Sequence, residues 1–156
     1  EDSMNKKLVH RQLVEYYQIF KETDAIYNKL AKRAGLAESA YWIMYSIRMM
    51  HGRCTQKEIC SQWSLSKQTV NSGLKCLEKE GLIVLAEVSE DRRSKEILLT
   101  EKGKNFSQKY IDIVFEMEME TFEKMSDIER KGLIDSSKRY MELLQKQVDS
   151  LLDGKG

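Results

Sequence analysis

The chain has 156 residues, which corresponds to about one domain. Hydrophobic residues make up 41% and charged residues 33%, a balance that excludes an intrinsically disordered chain. The 26 Lys and Arg residues nearly match the 25 Asp and Glu residues in number. The sequence contains no run of 18 apolar residues, so no transmembrane helix is predicted.

Two helices are predicted in the first third of the chain. From about residue 5 to residue 34, apolar side chains recur at helical spacing and form one stripe of a long amphipathic helix. Gly35 then supplies a helix stop. A second, shorter and more apolar helix is predicted over 39–50, ending before Gly52. A long amphipathic helix at a chain terminus is typical of contact with another chain. The stripe comprises Val9, Leu13, Tyr16, Phe20, Tyr27, Leu30 and Ala34.

The middle of the chain has the spacing of a helix-turn-helix. Thr55 and Glu58 form a capping-box pattern that predicts a helix over 56–62. Ser66 is placed to cap a second helix over 66–80, which Gly81 ends. Only three residues join the two helices, as in a helix-turn-helix.

Strand-like composition follows at 82–88 and 95–99, and the charged segment 89–94 joins the two runs. This pattern predicts a β-hairpin. Thr100 can cap a helix from Glu101 to about Lys124, and Ser126 with Glu129 predicts a final helix to about Leu152. The predicted fold is therefore mainly α with a small β-hairpin.

The outer face of the second helix of the helix-turn-helix carries the residue types that read DNA. Val70 and Leu74 face inward, and short polar side chains lie opposite them. Asn and Gln can hydrogen-bond adenine edges, Ser and Thr can bond phosphates or bases, and Lys can reach guanine or phosphate. The predicted DNA-binding residues on this helix are Ser66, Lys67, Gln68, Thr69, Asn71, Ser72 and Lys75.

The hairpin tip adds two arginines, Arg92 and Arg93, to the predicted DNA-binding set. A guanidinium such as that of Arg93 can enter the minor groove, where the negative potential attracts it. Asp91 can brace an arginine through a bidentate pair. A solvated turn is the alternative for this tip.

These segments together resemble the MarR family of bacterial transcriptional regulators. The resemblance is carried by Thr55–Ile59, Ser66–Asn71, Leu77–Ile83, Asp91–Lys95 and Leu98–Gly103, and the helical order extends it over nearly the whole chain. It implies a winged helix-turn-helix with N- and C-terminal dimerisation helices. The expected division is a DNA-binding domain over 38–100 and a helical dimerisation region over 1–37 and 101–156.

The resemblance implies a homodimer that binds a pseudo-palindromic operator on double-stranded DNA, acting as a repressor that a small ligand releases. Family members often bind phenolic or anionic effectors between the dimer helices and the DNA-binding lobe. An effector pocket here would be lined by aromatic residues, with a basic residue to receive an anion. The aromatic residues are Tyr16, Tyr17, Phe20, Trp42 and Tyr45, for which an aromatic core is the alternative, and the residue that receives the anion is Arg48 or His51.

Other chemistry is not favoured. The three cysteines, Cys54, Cys60 and Cys76, contain no CxxC pair, so a disulfide framework is not expected, and Cys54 or Cys76 is left as a candidate for redox control. His10 and His51 begin no spaced metal-ligand set, and no catalytic motif is apparent. We expect a cytoplasmic protein without signal peptide, metal or cofactor, which is not an enzyme.

The net charge of +1 conceals two unlike regions. Residues 1–110 carry 19 basic and 14 acidic side chains, whereas residues 111–135 carry 3 basic and 8 acidic ones. The near-neutral total therefore does not argue against a DNA partner. The competing hypothesis is a winged-helix protein-interaction module that never touches DNA, for which an acidic outer face would be typical.

Overall fold

The computed structural model describes residues 2–87 and 95–154. Seven helices and three short strands make up this part of the chain, which confirms the mainly α fold with a small sheet. The helices are α1 (Asp2–Ala34), α2 (Glu38–Met49), α3 (Gln56–Trp63), α4 (Lys67–Lys79), α5 (Glu101–Tyr110), α6 (Asp112–Lys124) and α7 (Asp127–Leu152). The strands are β1 (Arg53–Thr55), β2 (Ile83–Glu87) and β3 (Lys95–Leu99).

The residues fall into two compact units, 1–113 and 114–156. The core of the first unit lies around α2, whose central residues 43, 44 and 47 are fully buried. Helix α4 packs on α2 where Gly73 faces Ile43, since a Cβ at residue 73 would lie 2.2 Å from the Ile43 Cδ1 atom. The absence of a side chain at Gly73 thus allows α4 to lie close to α2.

The sheet is antiparallel in the order β1-β3-β2. The predicted hairpin is β2 and β3, with Ile83 opposite Leu99 and Glu87 opposite Lys95. The sequence did not predict β1, in which Cys54 pairs with Ile97. Three residues are too few for a period-2 pattern, and β1 exists only through its pairing with a strand some forty residues later.

The single helix predicted over 101–124 is wrong, because Ile111 interrupts it and divides it into α5 and α6. Ile111 is fully buried. Next to it, the Tyr110 carbonyl oxygen accepts a hydrogen bond of 2.8 Å from the Tyr41 hydroxyl on α2. A tertiary contact therefore coincides with the break, and the periodicity of α5 and α6 alone does not report it.

The second unit contains most of α6 and all of α7. The predicted capping box at the start of α7 is present, with the Ser126 hydroxyl accepting from the Glu129 backbone N–H. Arg130 donates to the Phe122 and Met125 carbonyl oxygens and pairs with Asp127, which fixes the turn between the helices. No residue of α7 is buried in the single chain.

Gly103 tests the packing of α5 against the sheet. A Cβ at this position would lie 1.9 Å from the Leu82 carbonyl oxygen, and a backbone atom cannot give way as a side chain can. We expect Gly103→Ala to lower the free energy of unfolding by about 1–3 kcal/mol or more, as overpacking does. Urea unfolding followed by circular dichroism measures this change.

The control is Asn105→Ala in the same helix, at an exposed position, which should change the unfolding free energy by no more than about 0.5 kcal/mol. Equal stability of the two variants would contradict the close approach of α5 to Leu82.

Candidate nucleic-acid interface

Local capping fixes both helices of the helix-turn-helix. The Thr55 hydroxyl accepts from the Glu58 backbone N–H (3.2 Å), and the Glu58 carboxylate accepts from the Thr55 backbone N–H (2.7 Å). Ser64 ends α3 in the left-handed conformation, with φ of 51°. Ser66 then caps α4 by accepting from the Thr69 backbone N–H at 3.1 Å. The short turn therefore has a defined geometry.

The buried and exposed faces of α4 are those that the sequence predicts. Val70, Leu74 and Leu77 are buried together with Gly73. Thr69 is half-buried at the border between the faces. Because the inner face is packed, the polar face is held outward. The exposed residues of this face, with the N-cap residue, are Ser66, Lys67, Gln68, Asn71, Ser72 and Lys75.

Three of the predicted contact residues already have partners within the protein. The Ser66 and Thr69 hydroxyl oxygens lie 2.8 Å apart, so Ser66 serves the cap of α4 as well as the exposed face. The Asn71 Oδ1 atom accepts a hydrogen bond of 2.7 Å from Gln56 Nε2 on α3. Sequence reasoning missed Gln56 because only the packing of α3 on α4 brings it to Asn71.

A basic groove of about 780 Å³ lies beside this face. It is lined from the starts of α3, α4 and β3, and three of its side chains are the lysines Lys57, Lys67 and Lys95. Glu58 also lines it, but its carboxylate is occupied by the capping box. Of the three lysines, the sequence predicted only Lys67, because the other two come from separate elements.

Arg92 and Arg93, the predicted wing contacts, lie outside the described residues. The described wing ends at Glu87 on one side and resumes at Lys95 on the other. At its base, Arg53 of β1 forms a bidentate pair with Glu96 of β3. The hydrogen bonds from Arg53 lower the pKa of the Glu96 carboxyl from its ordinary value.

The predicted effector residues divide into separate groups. Trp42 and Tyr45 belong to an aromatic cluster, with their ring centroids 5.3 Å apart. The cluster also contains Tyr27, 5.2 Å from Trp42, and Trp63, 6.1 Å from Tyr45, neither of which was in the predicted set. Edge-to-face contacts of this kind are typical of a packed core. Trp63 nevertheless remains 38% exposed at the end of α3.

Tyr16, Tyr17 and Phe20 lie elsewhere on α1. They are about half exposed or more, and the rings of the two tyrosines lie 6.2 Å apart. At 1.5 Å per residue, Tyr16 is roughly 16 Å along the helix axis from Tyr27, the α1 residue that contacts Trp42. Within the described part of one chain, these three residues and the aromatic cluster do not form one pocket.

The two candidate anion-binding residues differ in their environment. Arg48 forms a bidentate pair with Asp112 at the start of α6, with both N–O distances 2.8 Å. This pair raises the pKa of Arg48. His51 is exposed in the turn after α2, with φ of 61°. The Arg48 guanidinium thus has an internal carboxylate partner where the sequence predicted an external anion.

Cys54 is 4% exposed, and burial raises the pKa of its thiol to about 12. Cys60 and Cys76 are half-buried, and none of the three is in a disulfide. Among residues 2–87 and 95–154, no group of three His, Cys, Asp or Glu side chains could hold a metal ion. In the same residues, no helix is long and apolar enough to span a membrane.

Comparison with known proteins agrees with this geometry. Residues 34–94, which contain α2, the helix-turn-helix and the start of the wing, match the MarR family model. The resemblance to the MarR family is confirmed. The chain is 26% identical over 133 residues to an uncharacterized HTH-type transcriptional regulator, YwhA of Bacillus subtilis, covering 85% of this chain and 92% of that protein.

Two solved structures extend the likeness to most of the chain. The regulator NMB1585 of Neisseria meningitidis is 27% identical, with a TM-score of 0.73 and coverage of 89% of this chain and 97% of that one. The MepR protein of S. aureus, solved with DNA, is 21% identical and shares the fold, with a TM-score of 0.69 and coverage of 83% and 94%. YwhA is named a transcriptional regulator and NMB1585 a MarR family regulator, in line with the expectation that the chain is not an enzyme.

The burial of Cys54 leads to a labelling prediction. Its thiol is inaccessible and protonated at neutral pH, and the thiolate is the form that alkylates. We expect native protein treated with iodoacetamide at pH 7.5 to leave Cys54 unmodified while Cys76 reacts, as measured by peptide mass spectrometry. Denatured protein is the control, in which all three cysteines should react. Native labelling of Cys54 as fast as Cys76 would contradict the packing of β1.

Proposed function

We propose that this MarR-type protein is a sequence-specific transcriptional regulator that binds double-stranded DNA as a homodimer. The observation that carries the proposal is the outward polar face of α4, held on a capped helix-turn-helix. Between Lys67 and Leu77 this helix contains no acidic residue, so this part of its outer face carries no charge that repels phosphate. The face offers side-chain amides, hydroxyls and ammonium groups.

The positions of three lysines support contacts with the DNA phosphate backbone on either side of α4. Lys57 and Lys67 lie at the first turns of α3 and α4, and Lys95 begins the second wing strand. Phosphate contacts from such positions set the register of a helix on the duplex, while Gln68 and Ser72 of the exposed face reach base edges. We expect α4 to enter the major groove, and Arg92 and Arg93 of the wing to reach the adjacent minor groove.

Exposed apolar side chains support a second copy of the chain as partner. On α1, Phe20 is 65% exposed, and on α7, Met141 is 60% exposed. A contiguous apolar helix face of this kind is rare on a monomer and typical of an interface. We therefore assign 1–37 and 101–156 to dimerisation and 38–100 to DNA binding. A dimer would place its two α4 helices about 34–36 Å apart, one turn of DNA.

Repression and effector release complete the proposal. A dimer bound over a promoter blocks polymerase, and a small phenolic or anionic ligand would release it by favouring another arrangement of the lobes. The exposed edge of Trp63 in the aromatic cluster supports a site for such a ligand. A protein-interaction module without DNA binding is the alternative. An acidic outer face on the helix-turn-helix would favour this alternative, and the polar face of α4 described above is not acidic.

The decisive experiment is selection from a random duplex library, followed by fluorescence anisotropy titration of the selected duplex at several salt concentrations. The selected site should be pseudo-palindromic with half-sites about 10 bp apart, and it should bind at least 10³-fold more tightly than random duplex. Equal affinity for both duplexes would overturn DNA recognition and favour the interaction module.

Arg93→Ala tests the wing. If Arg93 makes a groove contact, the variant should lose about 1–3 kcal/mol of binding free energy for the selected duplex. Arg139→Ala is the matched control, since it removes the same charge from α7, outside the winged helix-turn-helix. Equal affinities of the two variants in the anisotropy titration would remove the wing from the interface.

The apolar stripe of α7 tests the dimer. Leu144→Glu or Val148→Glu would place a charge in the proposed interface, so we expect dissociation or unfolding, measured by light scattering after gel filtration. Lys146→Glu is the control, because residue 146 lies about 200° around the helix from residue 144 and faces away from the stripe. Unmodified protein that runs as a folded monomer at micromolar concentration would contradict the dimer.

A further inference from the structure

Hydrogen bonds join the start of α3 to the first turns of α4, next to its exposed face. One amide nitrogen, Gln56 Nε2, donates to two acceptors on α4. These are the Lys67 carbonyl oxygen at 3.3 Å and the Asn71 Oδ1 atom at 2.7 Å. A primary amide has two hydrogens, so both donors of Gln56 are used.

The carbonyl partner determines how both amides are oriented. A carbonyl oxygen can only accept, so Gln56 must turn its nitrogen, not its oxygen, toward Lys67. The same nitrogen then meets Asn71, which must present its own oxygen in return. The opposite orientation of Gln56 would set its amide oxygen against the Lys67 carbonyl oxygen, two acceptors with no hydrogen between them.

The arrangement is held at both ends. Gln56 is the first residue of α3, directly after the capping box of Thr55 and Glu58. Lys67 is the first residue of α4, directly after the cap formed by Ser66. Because the backbone is fixed on both sides, the hydrogen bonds orient the Asn71 side chain before any DNA is bound.

This orientation restricts what Asn71 can read. An asparagine that reads adenine uses both ends of its amide, accepting from N6 and donating to N7. The bond from Gln56 uses one of the two lone pairs of Oδ1 and holds this oxygen toward α3, so the Nδ2 donor is the end of the Asn71 amide left for a base. Guanine presents two acceptors in the major groove, O6 and N7, whereas adenine presents a donor beside its acceptor.

We propose that Gln56 is a positioning residue that holds the Asn71 Oδ1 atom toward α3, presents the Nδ2 donor to the base, and so selects guanine over adenine at one base pair of each half-site. The inference rests on the proposed DNA binding and specifies one position of its target. It also replaces the adenine contact that the residue type of Asn71 alone would predict.

The test compares base preferences after selection from a random duplex library for unmodified protein, Gln56→Met and Asn71→Asp. Gln56→Met keeps the side-chain length but cannot donate, so Asn71 can rotate. We expect the guanine-to-adenine ratio at one position of each half-site to fall by about fivefold or more, with other positions unchanged. Asn71→Asp keeps the acceptor for Gln56, removes the donor, and should lose the same preference.

Gln56→Glu provides a variant with the opposite expectation. Its carboxylate accepts from Asn71 Nδ2, which turns Oδ1 outward and favours a base with an exocyclic amino group, adenine or cytosine. Lys57→Met is the electrostatic control, which should weaken all sequences alike, because a phosphate contact carries no base information.

The results separate this inference from the function on which it rests. A uniform loss of affinity in Gln56→Met, with an unchanged base profile, would show a structural role only and overturn the proposal while leaving DNA recognition intact. A preference for adenine at every selected position of the unmodified protein would also overturn it. Failure of the unmodified protein to select any sequence would overturn the DNA-binding function itself.

Discussion

The packing of α4 on α2 is the contact on which the rest of the site depends. Gly73 brings α4 close to Ile43 and Ala40, and the buried side chains of both helices fill the space around this approach. Because the inner face of α4 is packed against α2, the polar residues on its opposite face are exposed. The functional face is thus a consequence of apolar packing on the opposite side of the same helix.

Helix α2 also joins this site to the helices that follow the wing. Its Tyr41 hydroxyl reaches the Tyr110 carbonyl, and its Arg48 pairs with Asp112, on either side of Ile111. A further contact, Ser46 to Gln62, ties α2 to α3 with an O–O distance of 2.6 Å. The junction of α5 and α6 is thus connected through α2 to the helix-turn-helix.

Features determined by local chemistry were predictable from the sequence. The capping boxes at Thr55 and Ser126, the short turn before Ser66 and the exposed face of α4 follow from residue types at fixed spacing. The features that the sequence did not predict all join residues that are distant in the chain. Strand β1 pairs with β3, the Tyr41 hydroxyl donates to the Tyr110 carbonyl oxygen before α6, and Gln56 orients the amide of Asn71. No local pattern marks these contacts. The charged wing tip, predicted from residues 91–93, stays a prediction.

The central claim is that two copies of this chain present two α4 helices to one duplex. Sedimentation equilibrium of the selected duplex with excess protein measures the stoichiometry directly. We expect two chains of 18.3 kDa per duplex, with no stable complex of one chain. A complex that saturates at one chain per duplex, or a duplex that sediments as free DNA in the presence of folded protein, would contradict the account.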